Sequence, residues 1–132
     1  MGVGVILKSG EKFLLQLRDD KEWIKTPNKW SIFGGGIEKG ESPKTTAIRE
    51  MEEELGLKLT DKDLKLIVKV HSHYIFLSEK EINLSQLELH EGQDMKLFSR
   101  REIIWMKNVH LWTRLFFIFN KPGRSTNFCY SF

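Results

Sequence analysis

The sequence predicts an α/β sandwich on three observations. Paired strand-like segments open the chain, a helix with its own start and stop signals follows a run of glycines, and an apolar helical stripe lies near the end. Val3 to Lys8 and Phe13 to Arg18 read as strands joined through Ser9-Gly10-Glu11-Lys12, because a short glycine-containing link between apolar runs is a hairpin signal. Asp19 to Lys29 is polar, contains Pro27 and reads as a loop. Trp30 to Phe33 is a short strand that delivers Gly34-Gly35-Gly36. Ser42 suits an N-cap, Pro43 the first turn and Gly56 the left-handed residue that ends a helix, so Pro43 to Leu55 is one helix.

Beyond that helix, Leu64 to Leu77 is rich in β-branched and aromatic residues and predicts further strand. Ile82, Leu84, Leu87 and Leu89 alternate with one slip, the pattern of a bulged or interrupted strand, and Lys96-Leu97-Phe98 is strand-like. Ser99 with Glu102 forms a capping box for a short helix. From Asn108 to Phe119, residues Trp112, Leu115, Phe116 and Phe119 recur at helical spacing, widened by Leu111 and Ile118. This predicts a second main helix covering the sheet face opposite the first. Lys121-Pro122-Gly123 breaks it, so residues 1–120 form one domain and 121–132 a C-terminal tail, whose Phe128, Tyr130 and Phe132 dock on the domain or on a partner.

Composition narrows the class. With 132 residues, 40% of them hydrophobic, the chain can bury one core and has no room for a second domain. No repeat, low-complexity tract or linker divides it. No run of about 18 apolar residues is present, and Met1-Gly2-Val3-Gly4 lacks the charged region and cleavage site of a signal peptide, so the expectation is a soluble cytoplasmic protein without a membrane partner. Cys129 is the single cysteine, which precludes an internal disulfide, leaves a cysteine zinc site unsupported and reads as inert. His71 and His73 share a face of predicted strand without a third ligand, and neither they nor His90 and His110 receive a role.

The helix after the glycines concentrates acid. Glu50, Glu52, Glu53 and Glu54 fall within little more than one turn, and like charges three or four residues apart cost about 0.2–0.5 kcal/mol per pair unless a cation faces them. At about 3.6 residues per turn, Glu50, Glu53 and Glu54 share one face while Glu52 points elsewhere. Three oxygen donors suit a hard divalent cation, Mg²⁺ or Mn²⁺, better than zinc. The glycines lead into this acidic helix rather than into the lysine and hydroxyl residue of a P-loop, so any phosphate is held through a metal. The net charge of +3 leaves the rest of the chain basic, which steers anions, yet the basic residues form no nucleic-acid motif. A small nucleotide, not a nucleic-acid polymer, is the expected partner.

The pattern G-x5-E-x7-R-E-U-x-E-E-x-G-U, with U a bulky aliphatic residue, is filled at Gly35, Glu41, Arg49, Glu50, Met51, Glu53, Glu54, Gly56 and Leu57. This stretch resembles the Nudix box, and the chain resembles MutT-like Nudix hydrolases of the type acting on oxidised nucleotides. The resemblance implies a mixed β-sheet between helices and divalent-metal cleavage of nucleoside diphosphates linked to another group. Carried over by position, it makes Glu50 and Glu54 the principal metal ligands, Glu53 a further or water-mediated one, and the Gly34 carbonyl a backbone ligand. It makes Arg49 and Glu41 the residues that orient those carboxylates.

Outside the box, Leu89-His90-Glu91-Gly92-Gln93 before Lys96-Leu97-Phe98 is similar to the loop that brings a further glutamate to the metals in MutT-like enzymes, which makes Glu91 the candidate base or extra ligand. By the same resemblance Arg18 contacts phosphate or base, and Asn108 contacts a purine edge or caps the last helix. Trp23, Trp30 and Trp105 offer stacking faces, although large aromatics more often serve packing. Phe33 departs from the family pattern, where many relatives carry proline before the glycines. The implied reaction is metal-assisted hydrolysis with Glu91, Glu53 and Arg49 in the catalytic set. The leading substrate is a (deoxy)nucleoside triphosphate, cleaved to monophosphate and pyrophosphate by a monomer or homodimer. The alternatives are a nucleotide sugar, ADP-ribose or dinucleoside polyphosphate, and a catalytically silent Nudix fold that only binds.

Overall fold

Glycine at position 10, with φ of 61°, turns β1 (Gly2–Ser9) back antiparallel onto β2 (Lys12–Leu17), with Leu7 opposite Leu14. The computed structural model describes residues 1–21, 27–121 and 130–131. Trp23, Phe128, Cys129 and Phe132, with the roles expected of them, lie outside these residues. β3 (Trp30–Ser31) continues beside β2, and β4 (Phe33–Gly36) runs antiparallel to the first half of β1, with Gly4 opposite Gly34. One edge of β1 is therefore shared, β4 taking its start and β2 its end.

The opposite edge of β1 pairs in parallel with β6 (His73–Ser78), which pairs antiparallel with β5 (Leu64–Val70) across a bulge between Leu66 and Val68. β7 (Asp94–Ser99) lines the far edge of β2, and β8 (Tyr130–Ser131) adds in parallel to β5. Among the described residues the result is a mixed sheet of eight strands. His71 lies in the turn between β5 and β6 with φ of 54°, so it does not share a strand face with His73. The alternating segment around Ile82 to Leu89 contains a single turn of tight helix at Leu84–Gln86 and no strand. Only Ile82 of its apolar residues is buried, so alternation alone did not secure a ladder partner.

Alternation along the strands makes two cores. Val3, Val5, Leu7, Leu14, Phe33 and Phe76 meet Ala47, Met51 and Leu55 of α1 (Pro43–Leu55) on one face. Ile6, Phe13, Leu15 and Leu77 meet Ile103 of α2 (Arg100–Trp105), Val109, and Phe117 of α3 (Leu111–Phe119) on the other. Ring contacts join Phe13 to Phe117 at 4.9 Å and Trp30 to Phe98 at 4.9 Å between centroids. The Ser42 hydroxyl accepts from the Thr45 amide at the start of α1, Gly56 takes φ of 66° at its end, and Ser99 with Glu102 closes the capping box of α2.

α3 lies on the expected face but is rotated from expectation. Its buried residues are Thr113 and Phe117, while Trp112 is 72% and Phe119 79% exposed. A helix apolar on nearly every side has no unique inward face by periodicity. Asn108 is not its cap. It takes φ of 60° and uses its carbonyl to accept from the Trp30 amide, while His110 holds the N-cap position without a side-chain cap bond.

Candidate active site

The site grows from the meeting of β4 and α1. Gly34 sits so close to β1 that a Cβ there would collide with the Val3 carbonyl oxygen, so only glycine lets β4 approach at this point. Its amide then hydrogen-bonds to the Glu54 carboxylate on α1. A Cβ on Gly35 would run into the Glu50 carboxylate. The glycine run is thus the floor on which two acidic side chains rest.

Glu54 is the most unusual group of the box. It is 4% exposed, and its Oε2 has no hydrogen-bond partner among the described residues. Burial, followed by the charges of Glu50 and Glu91, pushes its pKa up to about 8. Burial also raises Glu50, with Glu53 and Glu91 adding to the rise and Arg49 opposing it. Like charges gathered at a buried, orphaned oxygen are an arrangement that a positive ligand completes.

Arg49 ties the acidic residues together. Its Nε donates to Glu41 Oε2 at 2.7 Å and its Nη2 to Glu41 Oε1 at 2.9 Å, a two-pronged pair. Nη2 also donates to the Gly36 carbonyl at 3.2 Å, and Nη1 to Glu50 and Glu53 at 3.1 Å each. The Arg49 guanidinium and the Glu38 amide hold the Glu41 carboxyl down at about 2, while Glu41 in turn raises Arg49. Thr46, fully buried on α1, donates its hydroxyl to Glu41 Oε1 at 3.1 Å. Thr46 has no place in the sequence motif, although its position three residues before Arg49 puts it on the same helix face.

The loop carrying Glu91 is pinned to the end of α1. The amides of Glu88 and His90 donate to the carbonyls of Leu55 and Glu54 at 3.0 and 2.9 Å, and His90 Nδ1 lies 2.6 Å from the Glu53 carbonyl. The bond to the Glu53 carbonyl, then the Glu88 carboxylate, raises the His90 pKa. His90, given no role from sequence, is therefore the clasp that brings Glu91 to Glu50 and Glu54. Only the adjacency of His90 to Glu91 could have hinted at it.

These observations separate the expected site residues. Glu50, Glu54, Glu91 and the Gly34 backbone converge, with Glu41 and Arg49 behind them. Glu53 is exposed at the rim and committed to Arg49. Among the described residues no three acidic, histidine or cysteine side chains already stand in ligating geometry, in keeping with Arg49 drawing Glu50 and Glu53 towards itself. The donor set fits a hard divalent cation all the same, because it is all oxygen and includes the unpartnered Glu54 Oε2. Arg18 lies against the Glu91 loop. Its carbonyl accepts from Gln93 Nε2 at 2.8 Å, and its buried Nε has no partner among the described residues. Asn108, exposed on the far side of Trp30, presents its carbonyl to the chain.

Comparison with known proteins agrees with the fold. The MutT protein from Methanosarcina mazei superposes with a TM-score of 0.73 at 22% identity, covering 89% of this chain and 88% of that one. The Escherichia coli dihydroneopterin triphosphate pyrophosphohydrolase gives a TM-score of 0.66 at 18% identity over 88% of this chain and 90% of that one. An RNA pyrophosphohydrolase from Nitratiruptor sp. is 33% identical over 87 residues, which is 66% of this chain and 50% of that protein. The chain spans half or less of the length of the curated relatives it matches. The sequence model of the NUDIX domain matches residues 1–117, so the chain belongs to the Nudix family.

Proposed function

We propose that this chain is a divalent-metal-dependent pyrophosphohydrolase that cleaves a (deoxy)nucleoside triphosphate to monophosphate and pyrophosphate. The observation that carries the reading is the buried Glu54 carboxylate, orphaned at Oε2 and crowded by Glu50 and Glu91 at a backbone that only glycine permits. Glu50, Glu54 and the Gly34 carbonyl would hold the cation, with Glu53 at the rim. A bound divalent cation supplies the positive charge that lets these carboxylates ionise and that offsets charge gathering on the phosphoryl oxygens. Mg²⁺ fits this role, and Mn²⁺ fits the same donors.

The residues divide the remaining work. Glu54, whose buried and acidic surroundings favour its protonated form, would serve as a ligand in its ionised form. Arg49 and Glu41 keep Glu50 aimed at the glycine floor. Glu91, held at the site by the His90 clasp, accepts a proton from the attacking water as oxygen bonds to phosphorus and the phosphoanhydride oxygen leaves. Arg18, beside the Glu91 loop and with an Nε that has no partner among the described residues, would contact phosphate if its side chain turned towards the site. Asn108 would reach the base only through its side chain, since its carbonyl is taken by Trp30.

A second reading is favoured by the name of the Nitratiruptor relative: the same phosphoanhydride, carried at the end of an RNA. One experiment separates the readings. The purified chain is incubated with Mg²⁺, and separately with Mn²⁺, and with a panel of free nucleoside triphosphates, a triphosphate-ended oligoribonucleotide, ADP-ribose, a nucleotide sugar and a dinucleoside polyphosphate. Pyrophosphate release from free triphosphates supports the proposal, and release confined to the oligoribonucleotide moves it to RNA. A sugar phosphate or two nucleotides as products would overturn it, and no product from any member would leave a binding fold.

A further inference from the structure

The helical face opposite α1 carries a surface that hydrolysis does not use. Leu111, Leu115, Ile118 and Phe119, with Trp112, lie within an arc of about 120° on α3. Leu111, Trp112, Ile118 and Phe119 are exposed, and Trp105 at the end of α2 is 77% exposed. The opposite side of α3 is already satisfied through Phe117 in the core, so the exposed stripe is a second apolar face rather than a frayed core. Large aromatic and aliphatic side chains gathered in water mark an interaction site.

The two helices are locked as an antiparallel pair. Arg100 at the start of α2 donates to the carbonyls of Ile118 and Asn120 at 3.0 and 3.3 Å, and Arg114 on α3 donates to those of Ile104 and Met106 at 3.0 and 2.8 Å. Trp105 thus lies beside the middle of α3, and exposed Arg101 lies near its Phe119 end. Segment 100–121 holds five basic residues and one acidic one, so it carries more than the whole net charge of +3. Arg101, Lys107 and Lys121 are its exposed cations.

We propose that this face seats the protein on an anionic lipid surface, with Trp105, Leu111, Trp112, Ile118 and Phe119 entering the headgroup region and Arg101, Lys107 and Lys121 on the lipid phosphates. An aromatic and aliphatic stripe rimmed by cations is the composition of an interfacial helix. A second copy fits less well, because a two-fold contact would press two strongly positive segments together. Among the described residues no helix is long and apolar enough to cross a membrane, so the contact is one of lying on the surface. Residues of α1 and the Glu91 loop belong to the other face of the sheet and stay in water.

The test is flotation of the full chain with vesicles of phosphatidylcholine alone and of phosphatidylcholine with a third phosphatidylglycerol. Binding to the mixed vesicles alone, weakened by added salt, is expected. The double variant R101Q/K107Q should bind roughly 30-fold more weakly, at about five-fold per basic residue. The variant W112S/F119S should lose binding by more than about ten-fold while circular dichroism and turnover stay unchanged. Both pairs are exposed, so misfolding of one leaves the other as the measure. No flotation overturns the proposal, as does equal binding to both vesicle types. So does a concentration-dependent dimer in ultracentrifugation that W112S/F119S abolishes, which would give the face to a second copy.

Discussion

α1 and α3 cover opposite faces of one sheet, yet they are held by different physics. α1 is fixed by directional contacts: the Ser42 cap, the Arg49 clasp on Glu41, Glu50 and Gly36, and carbonyls at its end that receive the amides of Glu88 and His90. α3 buries Phe117 and leaves Trp112 and Phe119 in water, with no side-chain cap at its start. A helix whose polar residues need particular partners can dock in one way only. A helix apolar nearly all round must be chosen by shape, and its spare face remains adhesive.

The sharpest test of the α1 side is Glu54→Gln. It keeps the volume and the buried position but removes the charge that a cation needs, so turnover should fall by about a thousand-fold or more while the melting temperature holds or rises. Calorimetric titration with Mg²⁺ should then register no uptake. Full activity in this variant would detach the chemistry from α1 altogether.

On the α3 side the contrast is between two aromatic residues five positions apart. Phe117→Ala should cost about 3–5 kcal/mol in urea unfolding, because the ring fills the core against Phe13 and Phe116. Trp112→Ala should stay within about 0.5 kcal/mol, as an exposed side chain does. If the costs were reversed, α3 would be turned the other way about its axis, and the stripe anticipated from sequence would be the buried one.

This contrast explains what the sequence made legible. The strands around Val5 and Leu14, the caps at Ser42 and Gly56, and the acidic face could be read because each depends on neighbours within a few residues. The Leu64 to Leu77 run hid its turn, since His71 adopts φ of 54° without the glycine that would mark it. The clasp of His90 on the Glu53 carbonyl joins residues 37 apart and left no local trace. Nor did the orphaned Oε2 of Glu54, which arises from burial by the whole fold.

Proton linkage at Glu54 gives an effect with a definite sign. Its pKa in the fold is about 8 against 4.5 in the unfolded chain. Between those values the folded state binds the extra proton. Without divalent cations, stability from this group is therefore full below the lower value and falls as pH rises through the upper one, by at most about 1.4 kcal/mol per pH unit. Denaturant midpoints measured in chelator from pH 5 to 8 should decline, and Glu54→Gln should remove that part of the slope. An unchanged slope in the variant would mean that Glu54 ionises freely and is not compressed by burial and its acidic neighbours.

A modest effect is expected at the helix starts, and it separates the two helices cleanly. At Ser42 the hydroxyl satisfies the Thr45 amide, so Ser42→Ala should cost about 1 kcal/mol, measured by urea unfolding. At His110 no side chain caps α3, and the ring is half-buried near Arg18, whose charge joins burial in lowering its pKa. His110→Ala therefore removes packing but no cap, and His110→Ser can add a hydroxyl acceptor that α3 lacks. If the serine recovers stability over the alanine, α3 is a helix whose start is open, held by its core contact and by the arginine bonds that tie it to α2. If serine and alanine are equal, the free amides at the start of α3 are already satisfied by water, and capping does not distinguish the two helices.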